Sequence, residues 1–261
     1  MTEGWRDDQL SRDEFLGGRL RIHQPKQGYR AGIDPVLLAA SVPARAGDTV
    51  LELGCGVGTA LFCLGWRVNG LALTGVEVQA NYAGLARRNA TENALPAEIV
   101  TADLARMPDS LTRRQFTHVL ANPPYFDRNA STPARDGGRE LALGESLPLS
   151  DWVRVAAKRT APKGTVTFIH RVEKLPELLA AAWQQIGSLE VLPLIPRPGR
   201  AARLVLMRGR KGGRAEFKLH PGWVLHEGKA HLSDGENYTN ATACVLRDGA
   251  QLPFSAAVNT T

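Results

Sequence analysis

No apolar run in this chain approaches the roughly 18 residues that a membrane-crossing helix needs. Cysteine is scarce. Cys55, Cys63 and Cys244 are odd in number and lack metal-ligand spacing, which points to reduced thiols in a cytosol rather than a disulfide framework. The six histidines form no H-x-x-x-H or similar cluster, so no metal is expected. Internal repeats and low-complexity linkers are missing too. The opening residues, "MTEGWRDDQLSRDE", are polar and acidic, unlike a secretory or transit peptide. These absences lead us to expect a cytoplasmic monomer that uses neither membrane nor metal.

The remainder is ordinary for a globular protein, with 43% hydrophobic and 22% charged residues. A chain of 261 residues buries about 70–75% of its unfolded surface, enough for one large domain with appendages. The net charge of +6 hints at a polyanionic partner. One stretch, Arg197 to Arg214, holds seven basic residues and no acid. Arg200 and Arg203 are its candidates for RNA contact, although a solvated charged face accounts for such a run equally well.

From residue 47 to about 200, short apolar runs alternate with helical ones, the pattern of a parallel sheet with crossover helices. "TVLEL", "LALTGVEV", "AEIVTADL", "FTHVLA" and "KGTVTFIHR" read as five strands. "SLEVLPLIPR" and "ARLVLMRGRK" read as two more, joined by "PGRA" into a terminal hairpin. Between them lie helical segments. "QANYAGLARRNATENA" is read with its basic and amide residues facing water, and "SDWVRVAAKRTA" with Ser150 as its N-cap. Before residue 47, "GGRLRIHQP" reads as extended and "DPVLLAAS" as a short helix capped by Asp34 with Pro35 first. After residue 212 no strong period is seen.

Four strand ends carry chemistry. "LELGCGVG" runs a strand into Gly54-x-Gly56-x-Gly58 and a helix, which lets a ligand approach bare backbone. The third glycine of a dinucleotide fingerprint is replaced by Thr59, so a nucleoside without pyrophosphate fits better, with Glu52 just ahead of the loop. Glu77 ends the second strand, where a carboxylate can accept ribose hydroxyls. Asp103 in "TADL" lies at the same edge, either as an N-cap or as an acceptor for an adenine amino group. "ANPPYFDRN", from Ala121 to Asn129, ends the fourth strand with two prolines, which cannot continue a central strand. Asn-Pro is also a common turn initiator, but four such edges in sequence are hard to assign to turns alone.

"LELGCGVG", Glu77, "TADL" and "NPPY" in this order resemble the class I S-adenosylmethionine-dependent methyltransferases that modify exocyclic amino groups. "QPKQGYRAGIDPVLLAAS" and "LHEGKAHLSDGENYT" further resemble the tRNA (adenine-N6)-methyltransferases, which act on an adenosine beside the anticodon of a valine tRNA. The resemblance implies an α/β, Rossmann-like fold: a seven-stranded mostly parallel sheet with a C-terminal antiparallel hairpin and helices on both faces. It implies one methyltransferase domain over 1–261, with a lid segment 1–46, a core 47–211 and an extension 212–261. The cofactor would be S-adenosyl-L-methionine, held by Glu52, Gly54, Gly56, Glu77, Asp103 and Asn122, and the partner a structured RNA, tRNA. Asn122 and Pro123 would accept the hydrogen bonds of the target amino group, and Tyr125 would stack on the splayed base. Tyr29, Arg30 and Asp34 match the pre-loop motif of that family without an assigned role. Phe126 is a second candidate stacking ring.

NPPY also occurs in guanine-N2 methyltransferases of ribosomal RNA and in glutamine-N5 methyltransferases of release factors. The latter carry a sizeable helical domain ahead of the fold, and here only 48 residues precede the strand that bears the glycine loop. DNA adenine methyltransferases usually add a target-recognition domain, for which no segment is large enough. A catalytically silent RNA-binding module is the non-enzyme alternative, and the intact Asn122 and glycine loop argue against it.

Overall fold

The computed structural model describes residues 5–125, 147–228 and 237–255. Its centre is a sheet of five parallel strands: β3 (Thr49–Leu53), β4 (Ala72–Glu77), β5 (Ala97–Thr101), β6 (Phe116–Ala121) and β7 (Thr160–Arg171). They stand in the spatial order β7-β6-β3-β4-β5. Two further strands, β8 (Gly187–Ile195) and β9 (Leu204–Arg210), form an antiparallel pair in which β9 lies against β7. These seven are the strands read from the sequence, but they do not complete the sheet. Two short strands, β10 (Lys218–Leu219) and β11 (Trp223–Val224), lie parallel to β8 along its outer edge, making nine. The β8–β9 hairpin is therefore not the end of the sheet. A separate antiparallel hairpin, β1 (Leu10–Phe15) with β2 (Leu20–Pro25), contains the segment expected to be extended.

Alternation along each strand sorts side chains into two layers. Val50, Leu120, Ile169 and Leu206 face one core; Leu51, Leu53, Val119, Phe168 and Met207 face the other. The first core takes α1 (Asp34–Ser41), α2 (Thr59–Arg67), α3 (Ala80–Glu92) and, near the C-terminus, α7 (Asn240–Asp248). The second takes the four-residue α4 (Asp109–Thr112), α5 (Leu149–Arg159) and α6 (Leu175–Ala182). Helix α5 buries Trp152, Val153, Val155 and Ala156, the i, i+3, i+4 spacing of a one-sided apolar stripe.

Three local expectations are corrected. Helix α5 begins at Leu149 after Pro148, with no side-chain cap, so Ser150 lies inside its first turn. Helix α1 follows Ile33, and Asp34 is its first residue rather than its cap; Pro35 fits there because it needs no N–H partner. The amides of α3 do not all face water. Asn89 is fully buried: its Oδ1 accepts the His23 N–H at 2.8 Å, and its Nδ2 donates to the carbonyls of Val57 at 3.0 Å and His23 at 3.1 Å. One amide thus ties β2 and the glycine loop to α3.

Candidate active site

The order β6-β3-β4 sets β3 between two strands that the chain reaches on opposite sides, and such switch points open a crevice at the carboxyl ends. Register fixes what meets there. Leu53 pairs with Val76 on one side and Ala121 on the other, so the glycine loop after Leu53 adjoins both Glu77 and Asn122.

The glycines of the loop serve different neighbours. A Cβ on Gly54 would stand 2.5 Å from the Trp152 ring, so this position is kept bare by packing against α5. A Cβ on Gly56 would meet nothing within 4 Å, which leaves open space above its backbone, where φ is +54°. The Gly56 N–H donates to Glu77 Oε2 at 2.9 Å, and Glu77 Oε1 accepts the Gln79 N–H at 2.9 Å. A carboxylate has about four acceptor positions, so beside the N–H groups of Gly56, Gln79 and Val78 one is left for a further donor. Burial pushes the Glu77 carboxyl above its usual range, against the pull of these N–H donors. Beside it, Val78 is 62% exposed. Glu52 is buried instead, and its Oε2 accepts the Leu61 N–H at 2.9 Å in the first turn of α2, a helix-capping contact. Burial foremost, and then the nearby Glu77 carboxylate, drive its pKa well upward. Asp103 caps a short 3-10 turn, its Oδ1 accepting the Ala105 N–H at 2.8 Å.

On the other side of the crevice, Asn122 donates from Nδ2 to the Tyr29 hydroxyl at 3.4 Å. Its Oδ1 is buried and, among the described residues, has no hydrogen-bond partner. Pro123 is buried beside it. The Tyr125 hydroxyl donates to Asp34 Oδ2 at 2.8 Å. The Tyr125 ring lies 5.1 Å from that of His170, and the Arg171 guanidinium carbon lies over it at 5.5 Å. Tyr29 is 51% exposed and its backbone N–H donates to the Tyr82 hydroxyl at 3.2 Å. Although the residue as a whole is half exposed, burial around its hydroxyl end, then the Asp34 and Glu52 carboxylates, push its phenol upward. The Arg30 guanidinium donates to Asp13 Oδ2 at 2.7 Å and Ser11 Oγ at 2.8 Å, which ties it to β1. Phe126 lies outside the described residues.

The basic run divides. Because β9 is antiparallel to β7, Leu204 pairs with Arg171 at the carboxyl edge while Arg210 pairs with Thr165 further down. Arg197, Arg200 and Arg203 belong to the turn at the crevice end, and Arg200 and Arg203 are exposed. Arg208 is enclosed: it meets Glu190 at 3.4 Å and lies 4.1 Å over the Phe254 ring. Arg210 donates to the Lys163 carbonyl at 3.1 Å, at the opposite end. A cavity of about 420 Å³ lined by Arg87, Thr91 and Ala97 among others also opens at that far end, where β5 begins, and takes no part in the crevice.

Tyr82, Trp152, His170 and Arg171 were not singled out in the sequence. Only Arg171 left a signal, as a basic residue at the carboxyl end of the fifth strand.

This sheet order, with antiparallel β9 beside β7, is the class I methyltransferase fold, and the chain is a methyltransferase whose cofactor is S-adenosylmethionine. Residues 31–135 match the family described as Methyltransferase small domain. Relatives named tRNA1(Val) (adenine(37)-N6)-methyltransferase include one from Porphyromonas gingivalis, 27% identical over 212 residues that cover 76% of this chain and 81% of the relative. Another, from Cronobacter sakazakii, is 30% identical over 135 residues, 50% of this chain and 55% of the relative. Among solved structures, a predicted O-methyltransferase from Agrobacterium tumefaciens superposes with a TM-score of 0.67 at 25% identity, covering 85% of this chain and all of that one. The 16S rRNA N2 methyltransferase of T. thermophilus, solved with AdoMet and guanosine, gives 0.55 at 20% identity, covering 80% of this chain and 51% of that one. Among the described residues no helix is long and apolar enough to cross a membrane, and no group of three metal-ligating side chains is found.

Proposed function

We propose that the enzyme methylates the exocyclic N6 amino group of an adenosine in tRNA. The observation that carries this reading is the buried Oδ1 of Asn122, which has no hydrogen-bond partner among the described residues. An orphaned buried acceptor costs about 1–3 kcal/mol, and such groups are kept where function uses them. The substrate name of the relatives supports the choice of base and RNA.

Glu77 would hold the cofactor ribose, the open backbone at Gly56 the face of the glycine loop, and Val78 with Asp103 the adenine, with Glu52 and Gly54 shaping the loop from beneath. When bound, S-adenosylmethionine supplies a methyl group on a sulfonium. The remaining work falls to the acceptor side. An adenine N6 lone pair is delocalised into the ring and is a poor nucleophile. When Asn122 Oδ1 and the Pro123 carbonyl accept its two N–H bonds, the nitrogen pyramidalises and its lone pair is freed for in-line attack. These acceptors strengthen as positive charge builds on nitrogen, the reverse of an oxyanion hole. The prolines fix them in place, and Tyr125 holds the base against them. Arg200 and Arg203, at the same edge, would meet the RNA phosphates.

The test is single-turnover transfer to tRNA from a strain lacking the enzyme, with nucleosides resolved by mass spectrometry. N6-methyladenosine is expected. N2-methylguanosine would keep the acceptor chemistry and overturn the base, while absence of transfer to any RNA would overturn the reading.

A further inference from the structure

The segment before the glycine loop carries residues with no role so far, and two of them reach the acceptor loop. Tyr29 touches the Asn122 amide at 3.4 Å, and Asp34, 91 positions ahead of Tyr125, accepts its hydroxyl at 2.8 Å. The second contact is the stronger: a phenol donating to a carboxylate forms a charge-assisted bond.

We propose that Asp34 is a positioning residue for methyl transfer, which fixes the Tyr125 ring from the first turn of α1 and thereby sets the platform on which the target base stacks. The proposal rests on the methyl-transfer reading above.

Three features favour positioning over simple packing. The ring is gripped at its hydroxyl by Asp34 and at its body by His170 and Arg171, so both its tilt and its reach are set before a base arrives. Ordering a side chain beforehand removes an entropic cost from binding. Asp34 is also an expensive group to keep there, because burial raises its pKa against the pull of Tyr125 and Arg171. Finally, α1 is buried from Pro35 to Ser41, so the half-buried Asp34 stands on a rigid base at its start.

Asp34→Ala, Asp34→Asn, Tyr125→Phe and the double Asp34→Ala/Tyr125→Phe would be compared in full-length protein by single-turnover transfer to tRNA. Removing either side of this bond should slow transfer by about tenfold or more and raise the KM for RNA, since a bond to a charged group is worth roughly that factor. The double variant should be no slower than the slower single one, because both break the same bond. Asp34→Asn, which keeps an acceptor oxygen, should recover most of the rate. S-adenosylmethionine affinity by calorimetry should not change. A wild-type rate in Asp34→Ala, multiplicative losses in the double, or no recovery in Asp34→Asn would overturn the proposal. If the unaltered enzyme methylates no RNA, the functional reading fails by itself. The same variants in a thermal-unfolding cycle then decide the contact: non-additive shifts support it and additive shifts overturn it.

Discussion

The carboxylate of Glu77 accepts the backbone N–H of Gly56 at 2.9 Å, so the end of β4 holds the glycine loop that leaves β3. The same group is the candidate ribose acceptor, and shaping the loop and binding the cofactor therefore depend on one side chain. Glu77→Ala should weaken S-adenosylmethionine binding by roughly 1.5–3 kcal/mol, the range for bonds to a charged group. It should also lower thermal stability, because the N–H groups of Gly56 and Gln79 lose their acceptor. Calorimetry and thermal unfolding measure the two losses. Unchanged cofactor affinity in the variant would remove Glu77 from the binding site.

Asn122→Ala should separate activity from stability. Loss of one preorganised charge-stabilising group costs about 10²–10³ in turnover, and the loss should fall on kcat more than on substrate binding. The fold should not suffer in proportion, since the substitution deletes a buried oxygen that has no partner among the described residues. We expect a single-turnover rate two to three orders lower, with cofactor affinity and melting temperature close to the parent's. A near-parental rate would refute the proposed role of the amide.

The parts of this site that were legible in the sequence are those encoded within one element. Glu77 and Asn122 could be placed because each ends a β-branched apolar run read as a parallel strand, and the carboxyl ends of such strands share one edge. Asn89, Trp152 and His170 could not, because their meaning lies in partners far along the chain. Nothing local says that Asn89 reaches His23, 66 positions away, or that Trp152 is what keeps Gly54 bare. The strands added to the expected sheet were hidden for another reason. Strand β10 is two residues long, and both are exposed, so it carries no hydrophobic signal. Strand β1, in the separate hairpin, was hidden likewise: it buries only Leu10 and carries three consecutive charges, Arg12, Asp13 and Glu14. The basic run was read as a unit because composition has no topology; the antiparallel turn divides it.

That division makes its own prediction. Arg200→Glu with Arg203→Glu, at the crevice end, should weaken tRNA binding and reduce its salt dependence. The log–log slope should shrink by about 0.7 for each phosphate that a single strand leaves unneutralised. Lys211→Glu with Arg214→Glu, beyond the far end of β9, should leave both nearly unchanged. Fluorescence anisotropy over a salt series reads the two pairs side by side. Equal losses from both would mean that the RNA is drawn by net charge rather than by the edge.

His170 sets a pH dependence. It is 2% exposed, and burial foremost, aided by Lys174 and Arg171, lowers its pKa to about 4, against about 6.5 in an unfolded chain. Between these values the unfolded state binds the proton and the folded state does not, so stability must fall as pH falls. From pH 7 to pH 5 the loss from this group is about 2 kcal/mol. The buried carboxyls act in the opposite sense, because burial raises the pKa values of Asp34, Glu52 and Glu77 and the folded state then gains protons first. The whole-protein slope therefore mixes signs, and the informative quantity is a difference. Urea unfolding of the parent and of His170→Asn at pH 7, 6 and 5 should give curves that converge toward pH 5, as the variant escapes the parent's penalty. A constant gap between them would show that His170 titrates alike in both states.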